Sequence, residues 1–367
     1  MTKAADAIRV LLVDDSAVVR GAIGRIVDAA PDLTVVTTAP NGQVALDALK
    51  HVAVDVVVLD IEMPVMDGLT ALPLIVARHP ATRVVIASSL TQRGAEVTMQ
   101  ALALGAADYI AKPAARSGAG ALQSLAVEIA SKIRAIGRAA RARATPRPPT
   151  TAPVTTASAP RPPRELLAAS SEESVPRMLA IAASTGGPNA LAEVLSGLPA
   201  DFPLPILITQ HMPPLFTSLL AQRLERDAGR PCHEARDGEP VLAGHAYVAP
   251  GNFHMLVLSQ ERQPFIRLQQ TPPEHFCRPA ADPMLRSVAA LYGPSTLAVV
   301  LTGMGEDGRL GCQEVRARGG QVLVQDEASS VVWGMPGAVA NAGLAHSVLP
   351  VQAIAGAILS RCGATVG

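Results

Sequence analysis

Met178-Leu179-Ala180-Ile181-Ala182-Ala183-Ser184-Thr185-Gly186-Gly187-Pro188 is a strand, a sharp turn and a helix start in eleven residues. The apolar run Met178–Ala183 fits a short buried strand. Gly186 and Gly187 then free the backbone. Pro188 suits the first turn of a helix carried on by Leu191, Val194 and Leu195. That succession is the repeating unit of an α/β fold. Ser184 stands at the carboxyl end of the strand, beside a helix N-terminus. Free N–H groups and the positive end of the helix dipole favour a developing oxyanion there. The turn also suits two plainer roles, reversing the chain or cradling a phosphate.

Similar apolar runs recur downstream at Leu204–Thr209, Ala246–Val248, Met255–Leu258, Leu297–Leu301, Gln321–Val324 and Ser347–Leu349, several separated by helical patterns. Residues 177–367 therefore read as one α/β/α domain with a mainly parallel sheet. Upstream, Ile8–Val13, Leu33–Thr37, Val54–Leu59, Arg83–Ala87 and Tyr109–Ile110 alternate with helical spacing such as Val18, Ile23, Ile26 and Val27. Residues 1–137 read as a (βα)5 domain with a parallel, doubly wound, flavodoxin-like sheet. Between them, 138–176 is rich in Pro, Ala, Thr and Arg with no acid before Glu165, and reads as an extended tether.

Composition agrees with this division. The chain is 49% hydrophobic but only 2% aromatic, so its cores must be aliphatic, as in buried parallel strands. A formal net charge of +0 gives no reason to expect nucleic-acid binding, and no helix-turn-helix pattern is visible. The cysteines Cys232, Cys277, Cys312 and Cys362 form no Cys-x-x-Cys pair. With no secretory leader pattern and no apolar run of bilayer length, the sequence reads as cytoplasmic, without membrane insertion.

In doubly wound sheets, functional groups gather beyond the carboxyl ends of the strands. In the first domain these ends carry Asp14, Asp15, Asp60, Ser88 and Lys112. Converging carboxylates need a cation between them, and hard oxygen donors favour Mg²⁺. A carboxylate beside such an ion can accept a phosphoryl group, with Lys112 as counter-charge and Ser88 as donor. Any single Asp here could be only a helix cap. In the second domain, His211 follows Ile206–Gln210, and Asp307 follows Leu297–Leu301 through Thr302-Gly303-Met304-Gly305-Glu306. With Ser184 they supply a nucleophile, a base and an acid to orient the base. The Gly303–Gly305 loop is free to turn N–H groups, notably that of Met304, toward an oxyanion. Chain order and the missing Gly-x-Ser-x-Gly elbow differ from the α/β-hydrolases. Spacing alone leaves Glu306 as a rival acid. It also leaves His233, His245, His254, His275 and His346 as rival bases, His254 the strongest.

The motifs in combination resemble a known family. Val13-Asp14-Asp15-Ser16, Leu59-Asp60-Ile61-Glu62-Met63-Pro64, Ser88-Ser89 and Lys112-Pro113 look like the receiver domain of two-component response regulators. Ser184-Thr185-Gly186-Gly187, Gln210-His211-Met212, Cys277-Arg278-Pro279, Thr302–Gly308 and Gln325–Ser329 look like the catalytic domain of chemotaxis protein-glutamate methylesterases. The resemblance implies Asp60 as phosphoacceptor, Asp14, Asp15, Asp60 and the Glu62 carbonyl at the Mg²⁺, and Tyr109 as the switch aromatic. It implies a Ser184–His211–Asp307 triad supported by Thr185 and Met304, needing no cofactor. It further implies a histidine kinase as phosphodonor and the cytoplasmic domains of methylated chemoreceptors as substrates, with glutamyl methyl esters on their cytoplasmic helices hydrolysed and receptor glutamines deamidated. Ala182 and Ala280 depart from the family's usual Gly and Ser. The competing reading is a response regulator whose second domain only binds a receptor or a phosphate ligand.

Overall fold

The computed structural model describes residues 6–89, 91–113, 119–144 and 174–363. The tether read from the sequence thus lies largely outside the described residues.

The N-terminal domain comprises β1 (Ile8–Val13), α1 (Ala17–Ala29), β2 (Leu33–Ala39), α2 (Gly42–Leu49), β3 (Val56–Asp60), α3 (Gly68–Arg78), β4 (Arg83–Ser88), α4 (Gln92–Ala103), β5 (Asp108–Ala111) and α5 (Ala119–Ala144). Its strands pair in parallel in the order β2-β1-β3-β4-β5. β3 is buried along its whole length, as expected of a central parallel strand covered on both faces. Side chains of Ser16, Asn41, Asp67 and Thr91 cap α1 to α4, each accepting an N–H of its helix's first turn. Strand order reverses between β1 and β3, so Asp14, Asp15 and Asp60 meet at the switch point.

Helix α5 runs on to Ala144, past the boundary at 137 expected from composition. The Arg/Ala segment holds as helix for two reasons. Ile129, Ile133, Ile136 and Ala140 form one buried stripe. Beyond it, Arg138 reaches Asp32 (3.0 Å), and Arg141 reaches Asp6 and Asp55 (2.7 Å each). Asp55 also accepts from the Arg9 backbone (2.8 Å) and guanidinium (2.7 Å). Burial would raise this carboxyl, but the bonds from Arg9 and Arg141 hold it down at about 2. A depressed acid stabilises the fold above its unfolded pKa and loses that contribution as pH falls through the folded one. Acidification from pH 5 toward pH 2 is therefore expected to remove about 2 kcal/mol through this one group. Urea unfolding of Asp55→Asn should show a lower midpoint at pH 7 and a shallower acid limb than the unsubstituted protein.

The C-terminal domain comprises β6 (Met178–Ala183), α6 (Gly187–Ser196), β7 (Ile206–Gln210), α7 (Phe216–Ala228), β8 (Cys232–Glu234), β9 (Ala246–Val248), β10 (His254–Gln260), β11 (Gln263–Gln269), α8 (Ala281–Tyr292), β12 (Thr296–Val300), α9 (Arg309–Ala317), β13 (Gln321–Gln325), α10 (Met335–Asn341), β14 (Ser347–Leu349) and α11 (Val351–Arg361). Seven strands form one parallel sheet, β14-β13-β12-β6-β7-β9-β8. β10 and β11 form a separate antiparallel ribbon. β6 lies between β12 and β7, and the chain winds away from it in both directions. The loops after β12, β6 and β7 therefore share one end of the sheet.

The two domains touch. The Tyr109 ring stacks on Phe216 with centroids 4.6 Å apart and planes 4° from parallel. One apolar cluster continues from Met99 and Tyr109 to Phe216 and Leu220. Val332, Val331 and Met304 pack with the N-terminal domain's own core around Ile129 and Ile133.

Candidate active site and phosphoacceptor pocket

Each residue of the expected triad sits at the carboxyl end of a different, adjacent strand. Ser184 ends β6, with its N–H donating to the Thr302 carbonyl (3.0 Å). Its own carbonyl accepts from Gly187 N–H (2.7 Å) and from Gln210 Nε2 (2.9 Å). The two glycines are required by this turn. Gly186 has φ +80°, and a Cβ on it would lie 2.5 Å from Val331 Cγ2. A Cβ on Gly187 would lie 1.9 Å from Gln210 Oε1, the amide that fixes the Ser184 carbonyl. No side chain caps α6; the Gly187 N–H is taken by the Ser184 carbonyl and Pro188 has none, so the positive end of the helix, rather than a row of free donors, faces this turn. Thr185 is buried, and its carbonyl accepts from the Thr302 hydroxyl (2.8 Å), which ties the turn to the β12 loop.

His211 follows β7, and its Nε2 lies 2.7 Å from Asp307 Oδ2. Asp307 is buried and also accepts N–H groups of Ala281 (2.6 Å), Asp282 (3.0 Å) and Gly308 (2.9 Å). It thus caps α8 across the fold. Burial would raise the Asp307 carboxyl, yet His211 and the α8 N–H groups hold it below the usual carboxylate range. Burial works against a charge on His211, but Asp307 and then Cys277 pull its pKa up to about 10. With Nε2–H given to the acid, Nδ1 is the basic nitrogen. It lies 3.5 Å from Cys277 Sγ, a contact the sequence did not signal. Among the described residues, no hydrogen bond joins the Ser184 hydroxyl to the imidazole; both line one cavity of about 1080 Å³, with Thr185 and Met304.

The rivals are engaged elsewhere. Glu306 pairs with Arg309 (3.1 Å), His233 with Glu239 (2.9 Å) and His275 with Asp282 (2.9 Å). His245 stacks on Tyr247, and His346 accepts the Val322 N–H (2.9 Å). His254 is buried, with Nδ1 taking the Ala280 N–H (3.2 Å). His275, Asp282 and Asp307 offer donor atoms within 4.8 Å of one another. In this cluster Asp282 Oδ1 accepts the Gly311 N–H (2.6 Å), Asp282 Oδ2 pairs with His275 (2.9 Å), and Asp307 accepts the donors above.

The second pocket is acidic. Asp14, Asp15 and Asp60 bring carboxylate oxygens within 4.8 Å of one another, a hard donor set that fits Mg²⁺. Lys112 Nζ bridges Asp60 (2.7 Å) and Asp14 (2.9 Å). Burial pushes the Asp60 carboxyl up and the Asp14 charge adds to it, against the Lys112 bond. A divalent cation held by these three carboxylates would relieve that repulsion. The Ser88 hydroxyl points to α4, bonding Thr98 Oγ1 (2.6 Å). Tyr109 is buried between Phe216 and Lys132, whose Nζ is 4.9 Å from the ring centroid. The Glu62 side chain is exposed and pairs with Arg93 (3.3 Å).

A phosphoacceptor-type pocket at the strand ends of the first sheet and a hydrolase-type constellation at the strand ends of the second define a response regulator with an enzymatic output domain. Comparison with known proteins specifies the class. Residues 10–119 match the response regulator receiver domain, and residues 179–358 match the family described as CheB methylesterase. The protein-glutamate methylesterase/protein-glutamine glutaminase 1 of Paramagnetospirillum magneticum is 50% identical over 363 residues, covering 96% of this chain and 95% of that one. That of Azospirillum brasilense is 48% identical, covering 95% and 91%. The crystal structure of the Thermotoga maritima CheB methylesterase catalytic domain superposes with TM-score 0.50 at 40% identity, covering 50% of this chain and 98% of that one. The chain belongs to the protein-glutamate methylesterase/protein-glutamine glutaminase family.

Proposed function

We propose that Ser184, His211 and Asp307 hydrolyse glutamyl γ-methyl esters on chemoreceptors, releasing methanol, and deamidate receptor glutamines by the same acyl chemistry. The observation that carries this is the buried 2.7 Å His211–Asp307 pair opening into the cavity that Ser184 lines. Neutral His211 takes the Ser184 proton at Nδ1 as the hydroxyl attacks the ester carbonyl. Asp307 holds the ring in that tautomer and stabilises the imidazolium. The proton then goes to the departing methoxide, and water resolves the acyl-enzyme by the reverse relay. The Met304 N–H, together with the positive end of α6, is the group assigned to the developing oxyanion. The reaction takes place at the cytoplasmic parts of the receptors.

Control lies in the first domain. Asp60 accepts a phosphoryl group from a histidine kinase; Asp14, Asp15, Asp60 and the Glu62 carbonyl would hold Mg²⁺, which would supply charge neutralisation for the incoming group. Asp108, Tyr109, Val127 and Lys132 line the same cavity as Ser184, so this docked arrangement restricts the site. Phosphorylation shifts the docking equilibrium through Tyr109 and its stack on Phe216. Methanol release from a methylated receptor fragment, with and without a small-molecule phosphodonor, tests the reading. Phe216→Ala loses the ring stack and its buried area, and should raise unphosphorylated turnover about 10-fold or more. Removing residues 1–144 should do the same. Unchanged basal rates in both variants would refute inhibition by docking.

A further inference from the structure

At the rim of the cavity, Glu274 and Cys277 exchange two backbone hydrogen bonds (3.1 and 2.8 Å) around His275 and Phe276. Both central residues have positive φ, +50° and +62°. That is the two-residue hairpin turn for which Asn-Gly is the usual choice, because side chains are strained there. Instead the turn carries a phenylalanine at 103% exposure, and four ties hold it from behind. His275 Nε2 bonds buried Asp282 (2.9 Å), and Glu274 bonds Arg286 (2.6 Å). Arg278 bonds Asn252 Oδ1 (2.6 Å) and the Thr271 carbonyl (3.0 Å). The next residue, Cys277, reaches the basic nitrogen of His211. The chain thus spends strain and four anchors to hold an aromatic ring in water, next in sequence to the cysteine that touches the proposed catalytic base.

We propose that Phe276 is a specificity-determining contact for the receptor helix that carries the ester. This rests on the proposed function. A glutamyl side chain is short, so the helix bearing it must lie along the rim when its ester reaches Ser184. Phe276 occupies that rim. A helix face already stands along this cavity, since Gln123, Val127, Glu128 and Ser131 of α5 line it. The cleft therefore accepts a helix, and the released α5 leaves that place to the substrate. On an amphipathic helix, the ring packs on apolar side chains three or four residues from the modified glutamate. A small soluble ester offers no such surface.

The test compares full-length Phe276→Ala and Phe276→Leu with the unsubstituted protein, on a methylated receptor fragment and on p-nitrophenyl acetate. Phe276→Ala is expected to lower kcat/KM for the receptor about 10- to 100-fold, mostly through KM, with Phe276→Leu recovering most of it. Hydrolysis of p-nitrophenyl acetate should be unchanged. Unchanged receptor turnover, or an equal loss on both substrates, overturns the assignment. If the unsubstituted protein cleaves the small ester but releases no methanol from the receptor, the substrate reading itself is wrong and this inference goes with it.

Discussion

Ser184→Ala protein is expected to release methanol from a methylated receptor about 10⁴- to 10⁶-fold more slowly than the unsubstituted enzyme, with its fold intact. The magnitude follows from the unit character of the relay. Once the hydroxyl is gone, the His211–Asp307 pair has no proton to move, and only the oxyanion donors and binding contribute. The fold should not suffer, because the turn is held by main-chain groups. Ser184 is fixed through its N–H on Thr302 and its carbonyl on Gly187 and Gln210, none of which the hydroxyl supplies. Loss of one hydroxyl therefore leaves the unfolding free energy within about 1 kcal/mol of its original value. A fluorophosphonate should label Ser184 in the unsubstituted protein alone. A variant that kept its turnover would remove Ser184 from the chemistry and favour a binding-only output domain.

Much of this site was readable because strand ends are readable. β1, β3, β6 and β12 are short, nearly continuous apolar runs, and each gives way at its carboxyl end to a polar residue that the fold brings to one of the two pockets: Asp14, Asp60, Ser184, and the Thr302–Asp307 loop. What the sequence hid were groups whose meaning depends on distant partners. β11 went unread because Gln263, Pro264, Arg267 and Gln269 interrupt its apolar positions and only Ile266 is fully buried, so neither alternation nor a run is left. The end of α5 looked like tether because Arg138 and Arg141 are ordered by acids more than 80 residues away. The α8 N–H groups that hold Asp307 lie 25 and 26 residues upstream of it and carry no side-chain signature. The Cys277 contact with His211 was present in sequence only as a motif, Cys277-Arg278-Pro279, with no hint of which atom it would reach.

The acid of the relay makes the sharpest test, because Asp307→Asn should change two independent observables, the rate and the position of the pH–rate profile. Turnover is expected to fall about 10⁴-fold, since an amide stabilises neither the required tautomer nor the imidazolium. At the same time the alkaline position of the pH–rate profile should be lost. In the unsubstituted protein the pKa of His211 is raised from 6.5 to about 10, so activity, which needs the neutral imidazole, climbs with pH through that window. Stability runs the other way. The charged His211–Asp307 pair contributes fully below about 6.5 and is lost as pH rises toward the folded pKa. Without the Asp307 charge, burial of His211 is unopposed except by Cys277, so the rising limb should move to lower pH by more than one unit. An Asp307 that served only to cap α8 would cost stability and some activity but would leave the limb where it was. A pH–rate profile on the residual activity of Asp307→Asn, read against Ser184→Ala as blank, separates these outcomes. A limb that stays put shows that the carboxylate does not set the protonation of the base, and the triad assignment would have to be abandoned.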